Sequence, residues 1–160
     1  MLKRSTAVAG AAIMLVGTQA VARAAETKVN PGRVAWSAFE CSTYAELSND
    51  TREQSRLFQV GYTAGKKFVD GVQLKTIPNE VIQEAPVGLL LSLGGPSTDF
   101  MLGRIFSAAT GDAFDAVVKE DDSGVQRAPA EWLTDDKSDG KAKVARAKAK
   151  YLRSNCVLIR

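Results

Sequence analysis

The chain has 160 residues, with 21 lysines and arginines, 18 aspartates and glutamates, and no histidine. The absence of histidine excludes Ser-His-Asp and Cys-His catalysis, His-ligated zinc, and the usual general base near neutral pH. Three of the basic residues (Lys3, Arg4 and Arg23) lie in the first 24 residues, so the rest of the chain carries 18 basic and 18 acidic side chains. This formal neutrality gives no evidence for a nucleic-acid partner, and we predict none.

The first 24 residues have the layout of a secretory signal peptide. A basic start at Lys3-Arg4 precedes an apolar run from Ala7 to Gly17, and Ala22-Arg23-Ala24 offers the small residues that a signal peptidase reads. We therefore predict a signal peptide over residues 1–24, cleaved near Ala24, a single domain over 25–160, and a periplasmic location. The apolar run is too short to cross a bilayer and no later stretch is longer, so we predict no integral membrane span.

Two cysteines, Cys41 and Cys156, lie near opposite ends of the chain that follows the predicted cleavage site. An oxidising compartment and an even cysteine count favour a disulfide between them. Two free buried thiols are the alternative. Closing so long a loop would stabilise the fold by roughly 4 to 5 kcal/mol on the chain-entropy model.

The remaining elements are predicted in chain order from apolar spacing. Steps of three and four residues indicate an amphipathic helix over Val34–Leu47, and a second helix follows over Thr51–Val69, capped from Ser48-Asn49-Asp50. A short turn over Asn79–Ala85 separates these from a third long helix that starts after Ser97 and continues to Val118. Because β-branched alternation is scarce, we predict an all-α fold: a single domain of about four or five helices stapled by one disulfide.

Apolar positions on these helices predict the core and one close helix contact. Gly61-x-x-x-Gly65 would let another helix approach the second helix, and we predict that it serves internal packing and not a dimer contact. The predicted core centres on Trp36, Phe39, Tyr44, Phe58, Tyr62, Phe68, Leu102, Ile105 and Phe106.

Charge is segregated in the last third of the chain. An acidic loop is predicted near 119–140, and the segment from Lys141 to Arg160 holds no acidic residue. The Ala/Lys composition of that segment favours a final helix. Its basic residues form either a solvated face paired with the acidic loop or a binding surface for anionic lipid, peptidoglycan or an acidic protein. The candidate partner-binding residues are Lys141, Lys143, Arg146, Lys148, Lys150 and Arg153.

Carboxylates are the other group that could carry chemistry. A pair of them could act as acid and base in sugar hydrolysis. Nothing in their spacing separates such a pair from a solvated acidic face, so we predict no catalytic residue, no metal ligand and no cofactor. The carboxylates concerned are Asp112, Asp115, Glu120, Asp121 and Asp122.

Two segments carry a resemblance to known families. Trp36–Leu47, with Cys41-Ser42-Thr43-Tyr44, resembles the Cys-x-x-aromatic opening of the HdeA-type acid-stress chaperones. Gly61-Tyr62-Thr63-Ala64-Gly65 after an early cysteine resembles the Rap1a/Tai-type immunity proteins of secretion systems. The resemblance implies a small exported helical protein with one helix-linking disulfide, and no functional residue is carried over from either family. The chain is longer than the HdeA type and lacks the additional cysteines of the Rap1a/Tai type.

These observations predict a non-enzymatic, exported protein-binding protein. An inhibitor or immunity-type binder with one target is the first interpretation, and an acid-stress periplasmic chaperone is the second. A carboxylate-dependent cell-wall hydrolase is the alternative from a different class. The predicted partner is another protein of unknown identity, and the sequence also leaves room for a weak homodimer.

Overall fold

The computed structural model describes residues 29–121, 123–132 and 137–160, and the predicted signal peptide lies outside these ranges. The described residues form seven α-helices and one 3₁₀ helix, with no strand. This confirms the all-α prediction, with four long helices joined by three short ones. The helices are α1 (Pro31–Leu47), α2 (Thr51–Gln73), α3 (Asn79–Gln83), α4 (Val87–Leu91), α5 (Thr98–Val118), α6 (Pro129–Trp132) and α7 (Lys137–Arg153), followed by the 3₁₀ helix η1 (Cys156–Leu158).

Side-chain caps set the starts of the first three long helices. The Asn30 side chain accepts a hydrogen bond from the backbone N–H of Gly32, at 2.9 Å, so α1 begins three residues before the predicted start. Asp50 caps α2 through the N–H of Glu53, at 3.0 Å. Ser97 caps α5 through the N–H of Phe100, at 3.2 Å. In each case an oxygen satisfies a donor that the first helical turn leaves without a partner.

The core consists of two clusters that share α1. The cluster at the N-terminal half of α1 joins α1, α2, α4 and α5, and its largest members are Trp36, Phe39, Phe68, Leu89, Met101, Leu102 and Ile105. The cluster at the C-terminal half of α1 joins α1, α2, α5, α7 and η1 through Cys41, Tyr44, Leu57, Ala113, Val117, Ala147 and Cys156. The second cluster therefore attaches α7 to the rest of the fold, although α7 carries few large apolar side chains.

The predicted core is wrong at two positions. Phe58 and Tyr62 are 37% and 38% exposed, whereas the other predicted residues are buried, apart from half-buried Phe106. The Phe39 ring occupies the space beside α2, so α2 turns Gly61 and Gly65 toward the core and carries Phe58 and Tyr62 on its flank. There Phe58 packs edge-on against Phe106, with 5.5 Å between ring centroids.

The segment after α5 is partly structured. The backbone N–H of Arg127 donates to the carbonyl of Lys119 at 2.7 Å, an isolated bridge pairs Glu120 with Gln126, and the Lys119 ammonium lies 5.4 Å from the centre of the Trp132 ring. The acidic loop predicted near 119–140 thus contains α6, and α7 begins within the predicted range at Lys137. No helix in the described ranges has the length and apolar character that crossing a membrane requires.

Candidate partner-binding surface

The disulfide between Cys41 and Cys156 joins α1 to η1. Both cysteines are buried, and their Cα atoms lie 5.6 Å apart at a sequence separation of 115. The predicted pairing is confirmed. Because Cys156 lies three residues after the last residue of α7, the bond holds the C-terminal end of α7 and residues 156–160 against α1.

A second attachment of α7 is polar and centres on Glu53 of α2. Its carboxylate accepts hydrogen bonds from Arg56, at 2.8 and 2.6 Å, and from the hydroxyl of Tyr151 on α7. The hydrogen bond from Arg56 is the main reason that the pKa of Glu53 falls to about 2. Burial, together with the bond to Glu53, raises the pKa of Tyr151 to about 12. Arg56 also donates to the carbonyl of Ile159 at 2.6 Å, so one ion pair fastens α2, α7 and the last residues together.

The six predicted basic residues of α7 are divided between the inside and the outside of the fold. Arg146 donates to the carbonyl of Val117 at 2.9 Å, and Lys150 pairs with Glu120 at 2.9 Å. Arg146 and Lys150 are one helical turn apart, on the side of α7 that buries Ala147.

The other predicted residues stand further out. Lys141, Lys148 and Arg153 are exposed and Lys143 is half-buried. Since α7 turns by about 100° per residue, Lys141 and Lys148 lie on the side of the helix opposite to Lys143, Arg146, Lys150 and Arg153. The six side chains therefore do not form one continuous basic surface.

A groove runs along the N-terminal half of α1, between α2 and the C-terminal residues. It consists of two adjoining clefts of about 420 and 430 Å³ that share Val29, Val34 and Arg160. We call it the Val34 groove. Its walls are mainly apolar, and they are formed by Val29, Pro31, Val34, Val60, Ala64, Leu158 and Ile159.

Cations surround this apolar surface. Arg33, Lys67 and Arg160 line the groove and are exposed, and no carboxylate side chain is among the described residues that line it. Within the described part of the chain, Arg33 and Lys67 make no ion pair with a side chain of this protein. An apolar groove with three cationic side chains at its edge complements an apolar side chain flanked by carboxylates.

A third cleft, of about 550 Å³, contains one of the predicted residues. Lys148 lines it together with Arg52, Tyr151 and the turn between α1 and α2. This cleft also includes Asp50, whose carboxylate caps α2. It is therefore more polar and less uniformly charged than the Val34 groove.

The predicted carboxylates mostly serve local structure. Asp115 pairs with Lys119 at 2.6 Å, Glu120 pairs with Lys150, and Asp121 accepts hydrogen bonds from the N–H groups of Ser123 and Val125. Asp122 lies outside the described residues. In the described ranges no three cysteine or carboxylate side chains come together as a metal site would require.

One carboxylate that the sequence analysis did not single out is Glu40, on α1. Burial raises its pKa, a hydrogen bond from Trp36 lowers it, and the charge of Asp112 raises it further. Glu40 falls among the apolar positions of an amphipathic helix, and its partial burial distinguishes it from a surface glutamate. It lines none of the three clefts described above.

No protein-family model, curated protein or solved structure matches the chain. The resemblance to the HdeA and Rap1a/Tai types therefore stays an expectation. The structure assigns packing roles to the residues that carry it: Cys41 forms the disulfide, and Gly61 and Gly65 face Phe39 and Leu102.

Proposed function

We propose that the protein is an exported, non-enzymatic binding protein of the inhibitor or immunity type, which takes an acidic segment of one protein partner in the Val34 groove. The observation that carries the proposal is the combination of apolar walls with Arg33, Lys67 and Arg160 at the edge and no carboxylate side chain among the described lining residues. Apolar contact supplies affinity, and the cations select an acidic partner and speed its approach.

The groove is built from segments that are fixed before any partner arrives. The disulfide holds η1 on α1, Arg56 fastens the carbonyl of Ile159, and the side chain of Asn30 joins the start of α1 to the carbonyl of Val81 at 2.7 Å. A preformed surface avoids part of the entropy cost of binding, which favours a dedicated inhibitor over a segment that folds on its target. A disulfide-stapled chain also suits the oxidising periplasm.

The acid-stress chaperone is the second candidate because carboxylates hold α7. Glu53 and Glu120 contact Tyr151 and Lys150, and protonation would weaken both contacts. Both contacts lie in the last turn of α7, close to the disulfide at Cys156, so acid would loosen this end of the helix while the disulfide keeps it on α1. The opening would therefore be smaller than a free swing of the whole helix.

The test compares two charge-reversal variants as bait. Wild type, Arg33→Glu/Lys67→Glu and Lys141→Glu/Lys148→Glu are immobilised and exposed to envelope extract at neutral pH, and bound proteins are quantified by mass spectrometry. The variants change the same charge, but only the first alters the Val34 groove.

We expect one protein to be retained by wild type and by the α7 variant, and its affinity for the groove variant to fall at least tenfold, equivalent to about 1.4 kcal/mol. Equal retention by the groove variant contradicts the proposed site. Loss of the partner from the α7 variant alone would place the interface on the basic residues predicted from the sequence.

A further inference from the structure

The outer face of α5 is exposed although it carries two phenylalanines. Phe100 and Phe114 are 50% and 44% exposed, and Gly103, Ser107 and Gly111 between them are exposed as well. The steps from 100 to 103, 107, 111 and 114 are three or four residues, so the five side chains lie along one side of the helix. Apolar side chains of this size are more often buried, and their alignment marks a face that can pack against another surface.

The two glycines of this face are not needed by the packing within one chain. A Cβ atom built on Gly103 or on Gly111 meets nothing within 4 Å. Glycine is unfavourable inside a helix unless close approach or unusual backbone geometry requires it. Both residues lie within α5, and neither has a positive φ. What the glycines provide is a flat strip on which a second helix could come close.

The pattern is symmetric about Ser107. Gly103 and Gly111 lie four residues on either side of it, and Phe100 and Phe114 lie seven residues on either side. In an antiparallel pair with a two-fold axis at Ser107, Gly103 of one copy faces Gly111 of the other, and Phe100 faces Phe114. A two-fold contact must be self-complementary, and this order of small and aromatic residues meets that requirement.

Charge also fits this arrangement. Arg104 and Asp115 lie on the same flank of the face, and an antiparallel pair brings Arg104 of each copy to about 7.5 Å along the helix axis from Asp115 of the other. The exposed Arg104 guanidinium donates to the backbone carbonyls of Gly94 and Leu91, which are neutral groups and leave its charge for a second partner. The Asp115 side chain is 49% exposed, so it can accept a second cation beside Lys119. Asp99 lies on the opposite flank, where the second copy presents Thr110 instead of another carboxylate. Opposite charges thus meet on one flank, and like charges do not meet on the other.

We propose that the outer face of α5 is a self-association surface on which two copies of this chain pack antiparallel about Ser107. The shared face is about 20 Å long and one helix wide, so it buries less than the ~1,200 Å² of a stable interface and forms a weak dimer. The surface is separate from the Val34 groove, which is built from α1, α2 and the C-terminal residues.

Cysteine cross-linking tests the two-fold axis directly. Ser107→Cys places one thiol from each copy at the axis, while Ser55→Cys places a matched thiol on an exposed position of α2. Under mild oxidation we expect Ser107→Cys to give a disulfide-linked dimer at least tenfold faster than Ser55→Cys. Equal rates for the two variants would overturn the proposal.

Sedimentation equilibrium at up to about 1 mM protein tests the contacts without a cross-link. We expect Phe114→Glu and Arg104→Asp each to weaken the dimer at least tenfold, and Arg104→Asp/Asp115→Arg to regain most of that loss. Circular dichroism shows whether each variant is folded. A wild type that stays monomeric over the whole range, or a dimer unaffected by Phe114→Glu, would show that α5 is not the contact.

Discussion

The glycines of α2 and those of α5 are used in opposite ways. A Cβ atom on Gly61 would lie 2.6 Å from the Phe39 ring, and one on Gly65 would lie 2.7 Å from Leu102, whereas Gly103 and Gly111 have no atom within 4 Å of that position. On α2 the missing side chains make room for the core. On α5 they leave an exposed strip between two phenylalanines.

This difference shows that small-residue spacing has no fixed meaning by itself. Gly61-x-x-x-Gly65 was predicted to serve internal packing, and the contacts with Phe39 and Leu102 confirm it. The sequence alone indicates no role for Gly103 and Gly111 of α5, because the apolar residues around them already predict a buried helix. Only the orientation of α5 on α1 and α2 shows that they face outward.

The largest expected effect concerns the inner side of α5. Leu102 is 3% exposed and packs against α2 at Gly65, so Leu102→Ala should lower the free energy of unfolding by about 2 to 5 kcal/mol. Phe114→Ala, on the outer side, should change it by less than about 0.5 kcal/mol in the monomer. Urea unfolding at low protein concentration measures both. Equal losses for the two variants would remove the distinction between the two sides of α5.

The second test replaces the glycines themselves and predicts opposite signs. Gly61→Ala forces a methyl group against the fully buried Phe39 ring and should cost about 1 to 3 kcal/mol. Gly111→Ala meets open space and should stabilise the monomer by up to about 1 kcal/mol, because alanine is the better helix former. The comparison uses the urea midpoints of the two variants. A destabilising Gly111→Ala would show that this position is constrained within the single chain.

The long helices and the disulfide could be predicted because their signals are local. Asp50 and Ser97 are caps that lie directly before apolar periodic segments, and the two cysteines allow one pairing. The cap at Asn30 is the exception, because the prediction starts the first helix at Val34 and the structure starts it at Pro31. The burial of Phe58 and Tyr62 was predicted wrongly because an amphipathic stripe specifies a side of the helix only to within a wide angle. Which residues at its edge are covered depends on the neighbouring helix, here on the position of Phe39.

The candidate site was only partly predictable for the same reason. The basic composition of α7 is visible in the sequence, but the inward contacts of Arg146 and Lys150 depend on where α5 ends. The Val34 groove combines residues from 29–37, 59–67 and 154–160, and no single segment has a distinctive pattern. A site assembled from three distant segments becomes visible only when the fold brings them together.

The smallest expected effect concerns Glu53, at the N-terminal end of α2, well away from both pairs of glycines. Its folded pKa of about 2 lies below the ordinary value of 4.5, so the unfolded chain binds the proton more tightly. The stability that this carboxylate provides is therefore complete above about pH 4.5 and is lost as the pH falls toward 2. Its side chain is 22% exposed, so water screens part of the interaction with Arg56 and the effect stays modest.

Glu53→Gln isolates this contribution from the other carboxylates. We expect the variant to be less stable than wild type at pH 7 and the gap between their urea midpoints to close between about pH 4.5 and 2. A gap that stays constant over that range would mean that Glu53 holds α7 through shape and not through charge.

Hydrophobic-dye binding in the same titration separates the functional alternatives: an acid-stress chaperone must expose apolar surface at about pH 3 to 4. In the folded chain, however, Glu53 stays ionised until the pH approaches 2, so its contact with Tyr151 persists through that window. We therefore expect dye binding to stay low down to about pH 3, as a preformed binder requires, and a rise at pH 4 would instead favour the chaperone.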